Sequence, residues 1–192
     1  MNVAVVYGSS FGDTAGVAEE VARTLGALLD APVALHDVAR VDLASLRGVD
    51  LLVVGSSTWH AGEVQADWDA VLGAVALGPW TGTRVALFGT GDPHGYPDTF
   101  ADALGILAGA FASGGAESIG AWPAASDAPR GSRAWRGDRF VGLALDADDD
   151  PAMHAEAVGR WCRQLAVEVG AVAARVDLGH GAARAPSATV GS

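Results

Sequence analysis

The sequence of 192 residues contains no lysine, so all 12 of its basic residues are arginine. Without lysine, the chain has neither the amine that holds nucleotide phosphates in a Walker-type loop nor the amine that forms Schiff bases. The 23 acidic side chains outnumber the 12 basic ones, and the net charge of −11 opposes binding to nucleic acid or to an anionic membrane surface. We therefore expect neither nucleic acid nor a membrane among its partners.

Cysteine and long apolar runs are also scarce. The single cysteine, Cys162, excludes an internal disulfide and a cysteine-rich metal site, which agrees with a reducing compartment. No uninterrupted apolar stretch reaches the ~20 residues that span a bilayer, and the first residues lack the basic and cleavable features of a secretion signal. We expect a cytoplasmic protein, and its 50% of hydrophobic residues allow a sizeable core.

Short apolar runs alternate with segments of helical period along most of the chain. Strands are predicted at residues 3–7, 33–35, 51–54, 85–88, 118–122 and 140–145. Helices are predicted between and after them, at residues 15–29, 64–75, 100–111 and 152–169. This alternation predicts a doubly wound α/β fold around a five-stranded parallel sheet, whose ligands bind at the carboxyl ends of the strands.

An irregular segment interrupts the last predicted strand. Residues 123–139 are rich in Pro, Gly, Ser, Asp and Arg, which indicates an insertion within one domain spanning residues 1–170. Residues 171–192 are predicted to be a mobile C-terminal extension. Four arginines at intervals of three could form a patch for a partner or a solvated face paired with nearby carboxylates; they are Arg130, Arg133, Arg136 and Arg139.

The loop after the first predicted strand is rich in hydroxyl groups and glycine. It consists of Ser9, Ser10, Phe11, Gly12, Asp13 and Thr14. Hydroxyls and backbone N–H groups at the start of a helix can surround an oxyanion, whereas a simple N-cap needs only one hydroxyl. Because the loop has no cation and Asp13 adds a negative charge, it suits one monophosphate better than a di- or triphosphate.

The loops after the third and fourth strands each place one aromatic residue among small polar residues. These aromatic residues are Trp59 and Tyr96. Since the carboxyl ends of neighbouring parallel strands meet at one edge of a sheet, the two rings could enclose one flat ligand. Taken alone, Trp59 is equally compatible with loop packing.

These three loops, together with the segment after the insertion, resemble those of the long-chain flavodoxins, and the resemblance covers residues 2–170. It implies the strand order 2-1-3-4-5, one non-covalently bound FMN, and transfer of single electrons between larger proteins. It also implies that residues 9–14 hold the phosphate and that Trp59 and Tyr96 flank the flavin ring. The other residues expected to contact FMN are Ser57, Thr58, His60, Ala61, Gly62, Thr90, Gly91, Asp92, Thr99 and Asp148.

The resemblance further implies a monomeric carrier rather than an enzyme, with a reductase as donor and a reductive enzyme such as nitrogenase as acceptor. One alternative is an FMN-dependent NAD(P)H:quinone oxidoreductase of the same fold, which needs open space over the flavin for hydride and quinone. Another is a cofactor-free signalling module of the receiver type, which would need acidic residues after the first strand and a lysine after the last. This chain has Ser9 and Ser10 at the first position and no lysine.

Four aspartates precede the last predicted helix, at positions 146, 148, 149 and 150. Such a run can hold a cation, but Pro151 directly after it suits the first turn of a helix. We therefore interpret Asp149 and Asp150 as residues of a helix N-terminus and predict no metal site. Cys162 lies on an apolar helical stripe and is interpreted as part of the core.

Overall fold

The computed structural model describes residues 1–124 and 131–170, in which strands and helices alternate. In chain order the elements are β1 (Val3–Gly8), α1 (Asp13–Leu29), β2 (Val33–Asp37), β3 (Leu51–Ser56), β4 (Thr58–Trp59), β5 (Glu63–Val64), α2 (Ala66–Leu77), β6 (Arg84–Gly91), α3 (Asp102–Ser113), β7 (Glu117–Ile119), β8 (Trp122–Pro123), β9 (Trp135–Arg136), β10 (Arg139–Phe140), β11 (Leu143–Asp146) and α4 (Pro151–Glu168). Two short 3₁₀ helices lie at Leu43–Leu46 and Pro97–Thr99.

The central sheet is parallel and has the order β2-β1-β3-β6-β11. The predicted doubly wound fold and its order 2-1-3-4-5 are therefore confirmed. The fifth position is shared by two strands, because β7 pairs with the first half of β6 and β11 with the second half. The insertion leaves the sheet between these two strands, as the sequence predicts.

Each face of the sheet is covered by two helices. Helices α1 and α4 pack together on one face, and α2 and α3 on the other. Successive residues of β1 point to opposite cores, with Val3 and Val5 on the α1/α4 side and Ala4 and Val6 on the other. Burial of each large aliphatic side chain stabilises the fold by roughly 1.5–3 kcal/mol. Because the side chains alternate, both faces of β1 are buried, one in each core.

Several predicted elements have different bounds in the structure. The helix expected over residues 64–75 is α2 at Ala66–Leu77, and the strand expected over 118–122 ends at Ile119 as β7. The strand expected over residues 140–145 begins only at Leu143, because Phe140 instead pairs with Trp122 and Trp135 in a three-stranded antiparallel sheet of order β8-β10-β9. The helix expected from residue 100 begins at Asp102, because Ala101 adopts a left-handed conformation with φ of 61°. The described residues of the insertion therefore form short strands that carry no recognisable period in the sequence.

The start of α4 agrees with the sequence. The Asp150 carboxylate accepts a hydrogen bond of 2.8 Å from the Ala152 N–H, and Pro151 opens the first turn. Asp149 does not cap the helix; its own N–H donates to the Asp146 carbonyl. In residues 1–124 and 131–170 no helix has both the length and the apolarity needed to cross a bilayer. Arg130 and the predicted extension at 171–192 lie outside the described residues.

Candidate functional site

Three loops meet at the carboxyl edge of the central sheet. In the strand register, Gly8 at the end of β1 pairs with Ser56 of β3, and Gly55 of β3 pairs with Phe88 of β6. The loops that follow β1, β3 and β6 are therefore neighbours, as expected. They contain the hydroxyl-rich segment, Trp59 and Tyr96, respectively.

The hydroxyl-rich loop leaves the first turn of α1 open. Gly12 is the N-cap residue and has φ of 104°, a left-handed conformation that glycine adopts without strain. The Ser9 hydroxyl accepts a hydrogen bond of 3.1 Å from the Gly12 N–H, and no side chain in the described part of the chain caps α1. The hydroxyls therefore do not act as a simple helix cap. Ser10 faces solvent, whereas Thr14 is buried.

The second loop is a hairpin formed by β4 and β5. The Trp59 indole N–H donates to the Ser57 hydroxyl at 2.7 Å, which fixes the orientation of the ring. The Gly62 N–H closes the turn on the Trp59 carbonyl at 3.0 Å, and His60 inside the turn has φ of 44°. Phe11 from the first loop lies against Trp59 with a centroid separation of 5.5 Å.

The third loop is organised by one carboxylate. Asp92 Oδ1 accepts hydrogen bonds from the N–H groups of His94 at 2.9 Å and Gly95 at 2.6 Å. The Asp92 carbonyl accepts a further bond from the Tyr96 N–H at 3.1 Å. This turn presents the Tyr96 ring to solvent, with 51% of the residue exposed. A ligand beside it would therefore cover an aromatic surface that is otherwise hydrated.

A cavity of about 280 Å³ lies between the second and third loops. Its lining consists of Thr58, Trp59, His60, Asp92, Tyr96, Thr99 and Phe100. Three aromatic side chains, those of Trp59, Tyr96 and Phe100, and a few polar groups suit the insertion of one planar ring system. A planar ligand with a single phosphate fits the chemistry of the edge, because the open N-terminus of α1 begins in the adjoining loop.

Comparison with known proteins decides the family. The family model described as Flavodoxin matches residues 5–161. The chain belongs to the flavodoxin family. It is 40% identical over 160 residues to a flavodoxin of Picosynechococcus sp., with 82% of this chain and 94% of that protein covered. It is 36% identical over 166 residues to Flavodoxin 1 of Escherichia coli strain K12, with 85% and 94% covered.

The fold is shared with solved flavodoxin structures. The structure of Fusobacterium nucleatum flavodoxin bound to flavin mononucleotide matches with a TM-score of 0.79 and 20% identity. The match covers 87% of this chain and 98% of that chain. At this level of identity the likeness shows the fold alone.

The residues expected at a flavodoxin site fall into three positions. Those in the ring cavity are Thr58, Trp59, His60, Asp92, Tyr96 and Thr99. Those close to it in the chain or the hairpin are Ser57, Ala61, Gly62, Thr90 and Gly91, of which Thr90 and Gly91 are buried at the end of β6. Asp148 does not line the ring cavity: it is exposed in the loop after β11, where its N–H donates to the Asp146 carboxylate.

Three side chains at the carboxyl edge of the sheet are not among the residues that the sequence predicts for the site. Phe100 lines the ring cavity, whereas its apolar spacing predicts a helix residue. Gln65 is buried behind the first loop, and its amide donates to the Ser10 hydroxyl. Asp102 is buried next to Gly62 and accepts from the Arg133 N–H at 2.6 Å. Gln65 caps α2 although glutamine is not among the residues preferred at a helix N-cap, so the sequence carries no local signal for it.

The described arginines of the insertion are largely engaged within the chain. The Arg133 guanidinium lies 3.7 Å from the Asp102 carboxylate, and that of Arg139 lies 3.9 Å from Asp138. Arg136 donates to the backbone carbonyls of Arg133 and Trp135. Arg133 and Arg139 therefore support the interpretation of a solvated face paired with nearby carboxylates, whereas Arg136 bonds backbone carbonyls instead.

Proposed function

We propose that this flavodoxin carries single electrons on one non-covalently bound FMN, whose phosphate lies in the loop of residues 9–14 and whose ring lies between Trp59 and Tyr96. The observation that supports it best is the combination of an uncapped N-terminus of α1 with a cavity walled by both rings at the same edge. FMN supplies a ring that accepts and releases electrons one at a time. The protein supplies binding, orientation and exclusion of water.

The phosphate is held without a cationic side chain. The N–H groups of the first turn of α1 and the hydroxyls of Ser9, Ser10 and Thr14 provide the donors, and the positive end of the helix dipole favours the anion. Asp13 is exposed in the same turn and adds one negative charge. A second phosphate would meet no counter-charge, so FAD is disfavoured, whereas riboflavin would leave the donors without an acceptor.

The ring is held by aromatic contact on both faces. The Trp59 ring is oriented by the Ser57 hydroxyl, and the backbone of Tyr96 is held by the turn around Asp92. With both faces covered, neither a nicotinamide nor a quinone can stack on the flavin. This geometry favours an electron carrier over the quinone oxidoreductase of the same fold. The remaining contacts assigned to FMN come from the backbone and side chains of residues 57–62 and 90–92, from Thr99 at the cavity and from Asp148 in the exposed loop after β11.

The same surface defines the proposed partners. Glu63 and Asp98 are exposed beside the ring loops, and the net charge of the whole chain is −11. A reductase as donor and a reductive enzyme, nitrogenase being one example, would present basic residues to this edge. We assign the carrier to the cytoplasm as a monomer with a single domain at residues 1–170.

Titration of the apoprotein with FMN, riboflavin and FAD tests the assignment. Quenching of flavin fluorescence reports binding, and we expect FMN to bind more tightly than either of the other two. Steady-state assays with NAD(P)H and a quinone, without any reductase, test the alternative and are expected to show no turnover. Riboflavin binding as tightly as FMN would refute the phosphate site, and sustained turnover would favour the oxidoreductase.

A matched variant sharpens the phosphate test. Asp13→Asn removes the negative charge from the first turn of α1 and keeps the size of the side chain. We expect FMN to bind more tightly and riboflavin to bind as before, because only FMN carries the phosphate. An equal change for both flavins would place Asp13 away from the phosphate.

A further inference from the structure

One buried polar side chain links the end of the second loop to the first. Gln65 follows strand β5 directly and is the N-cap residue of α2, with only 2% of its surface exposed. Its side chain reaches back to the hydroxyl-rich loop, 55 residues earlier in the chain. Neither the phosphate contacts nor the ring contacts described above make use of it.

The hydrogen bonds of Gln65 determine which way its amide faces. Its Oε1 accepts from the backbone N–H groups of Asp67 at 3.0 Å and Trp68 at 3.4 Å, and a backbone N–H can only donate. Its Nε2 therefore points the other way and donates to Asp67 Oδ2 at 2.8 Å and to Ser10 Oγ at 3.3 Å. The amide oxygen and both amide hydrogens are used.

This arrangement constrains the Ser10 hydroxyl. An amide nitrogen cannot accept a hydrogen bond, so Ser10 Oγ must be the acceptor in its contact with Gln65. The hydroxyl proton of Ser10 then points away from Gln65. Ser10 is exposed in the loop that surrounds the open N-terminus of α1, so this proton is available to an anion bound there.

We propose that Gln65 is a positioning residue for phosphate recognition: it holds the Ser10 hydroxyl as an acceptor on its inner side, so that the hydroxyl donates to the phosphate of FMN. The inference rests on the proposed function, because it needs the phosphate to lie in the loop of residues 9–14. Gln65 does not touch the phosphate in this scheme. It acts through Ser10.

The packing around Gln65 leaves it little freedom to adopt another arrangement. A Cβ at Gly8 would collide with Oε1 of Gln65 and with the Trp68 ring, so glycine at the end of β1 creates the space that the amide fills. The Trp68 indole N–H donates to the Gly55 carbonyl at 2.8 Å, which fixes the start of α2 against β3. The Gln65 amide is therefore held between the end of β1 and the start of α2.

A purely structural role for Gln65, as the cap of α2, makes a different prediction. Loss of the cap would lower stability and would weaken the binding of any flavin by a similar factor. Loss of the Ser10 contact would weaken only the interaction with the phosphate. The ratio of the dissociation constant for riboflavin to that for FMN therefore separates the two roles.

Two substitutions in the full-length apoprotein test the inference. Gln65→Ser keeps a hydroxyl that can cap α2 but is too short to reach Ser10, and Gln65→Met fills the space without any polar group. We expect each substitution to lower the ratio of the riboflavin dissociation constant to the FMN dissociation constant by about threefold to tenfold. This change corresponds to part of the free energy that one hydrogen bond to a charged group contributes. Gln164→Met, which removes a similar glutamine contact on α4, serves as the matched control and is expected to leave the ratio unchanged.

A double-mutant cycle with Ser10→Ala locates the effect. Once the Ser10 hydroxyl is absent, either Gln65 substitution should change the ratio no further. An unchanged ratio in both single variants would overturn the role of Gln65, and so would a loss that persists in the Ser10→Ala background. If the unsubstituted protein itself binds riboflavin and FMN equally, the phosphate site of the proposed function is wrong, and the role of Gln65 is overturned with it.

Discussion

Substitution of Ser57 by alanine isolates the orientation of the Trp59 ring. The Ser57 hydroxyl accepts the indole N–H at 2.7 Å, and both residues are half-buried at the rim of the cavity. Ser57→Ala removes this acceptor and leaves the ring in place. A change in flavin binding then reports the contribution of the Ser57 hydroxyl, through the ring orientation and its own contact with the flavin, separately from the ring itself.

The magnitude follows from the hydrogen bond. A neutral intramolecular hydrogen bond contributes about 0.5–1.5 kcal/mol net, and water can replace part of it at a half-buried site. We therefore expect Ser57→Ala to weaken FMN binding by about twofold to tenfold, since ~1.4 kcal/mol corresponds to a factor of ten. Trp59→Ala removes the stacking surface, worth roughly 1–3 kcal/mol, and sets the upper limit of the effect.

The assay is titration of the apoprotein with FMN and with riboflavin, followed by quenching of flavin fluorescence. Because Ser57 acts on the ring, both flavins should lose affinity by the same factor. Ser113→Ala, which removes an exposed hydroxyl bonded to the Gly109 carbonyl on α3, is the control and should bind both flavins normally. Normal affinity in Ser57→Ala, or a loss confined to FMN, would refute the view that Ser57 orients a ring that stacks on the flavin.

Three further outcomes are expected. Burial, with a smaller contribution from the charge of Glu20, raises the pKa of Cys162 to about 12. Iodoacetamide should therefore label this thiol only after unfolding. The free energy of unfolding should fall as the pH rises above the pKa of the unfolded thiol. Gly8→Ala should lower the free energy of unfolding in urea by about 1–3 kcal/mol, because its Cβ overlaps Gln65. Glu63→Gln and Asp98→Asn each remove one negative charge beside the ring loops. Each should raise the midpoint potential of the second reduction step of bound FMN by about 20–70 mV, the range calculated for a carboxylate ~10 Å from the flavin charge. Spectroelectrochemistry measures this potential.

The sequence predicts the edge of the sheet that carries the site because the relevant signals are local. Buried strands end at Gly8, Ser56 and Gly91, and each is followed directly by small polar residues with one aromatic or several hydroxyls. Strand order then brings the loops together. The positions of Trp59 and Tyr96 at one cavity follow from this rule and need no knowledge of side-chain packing.

The parts that the sequence does not predict depend on contacts between distant residues. The bond from Gln65 to Ser10 spans 55 positions, and the bond from the Arg133 N–H to Asp102 spans 31. Neither partner has a periodicity that marks the pair. The two-residue strands of the insertion are equally invisible, because a stretch that short cannot show the alternation on which strand prediction depends.

The divided fifth position of the sheet has a consequence for how the protein folds and avoids association. Neither β7, with three residues, nor β11, with four, offers a long row of unpaired backbone groups to a strand from another molecule. The two strands come from separate parts of the chain, and β11 joins β6 only after a segment of some fifty residues has been placed. Closing that loop costs conformational entropy before β11 and β6 form any hydrogen bonds. This edge of the sheet is therefore expected to form late in folding, after the central strands β1, β3 and β6 have paired.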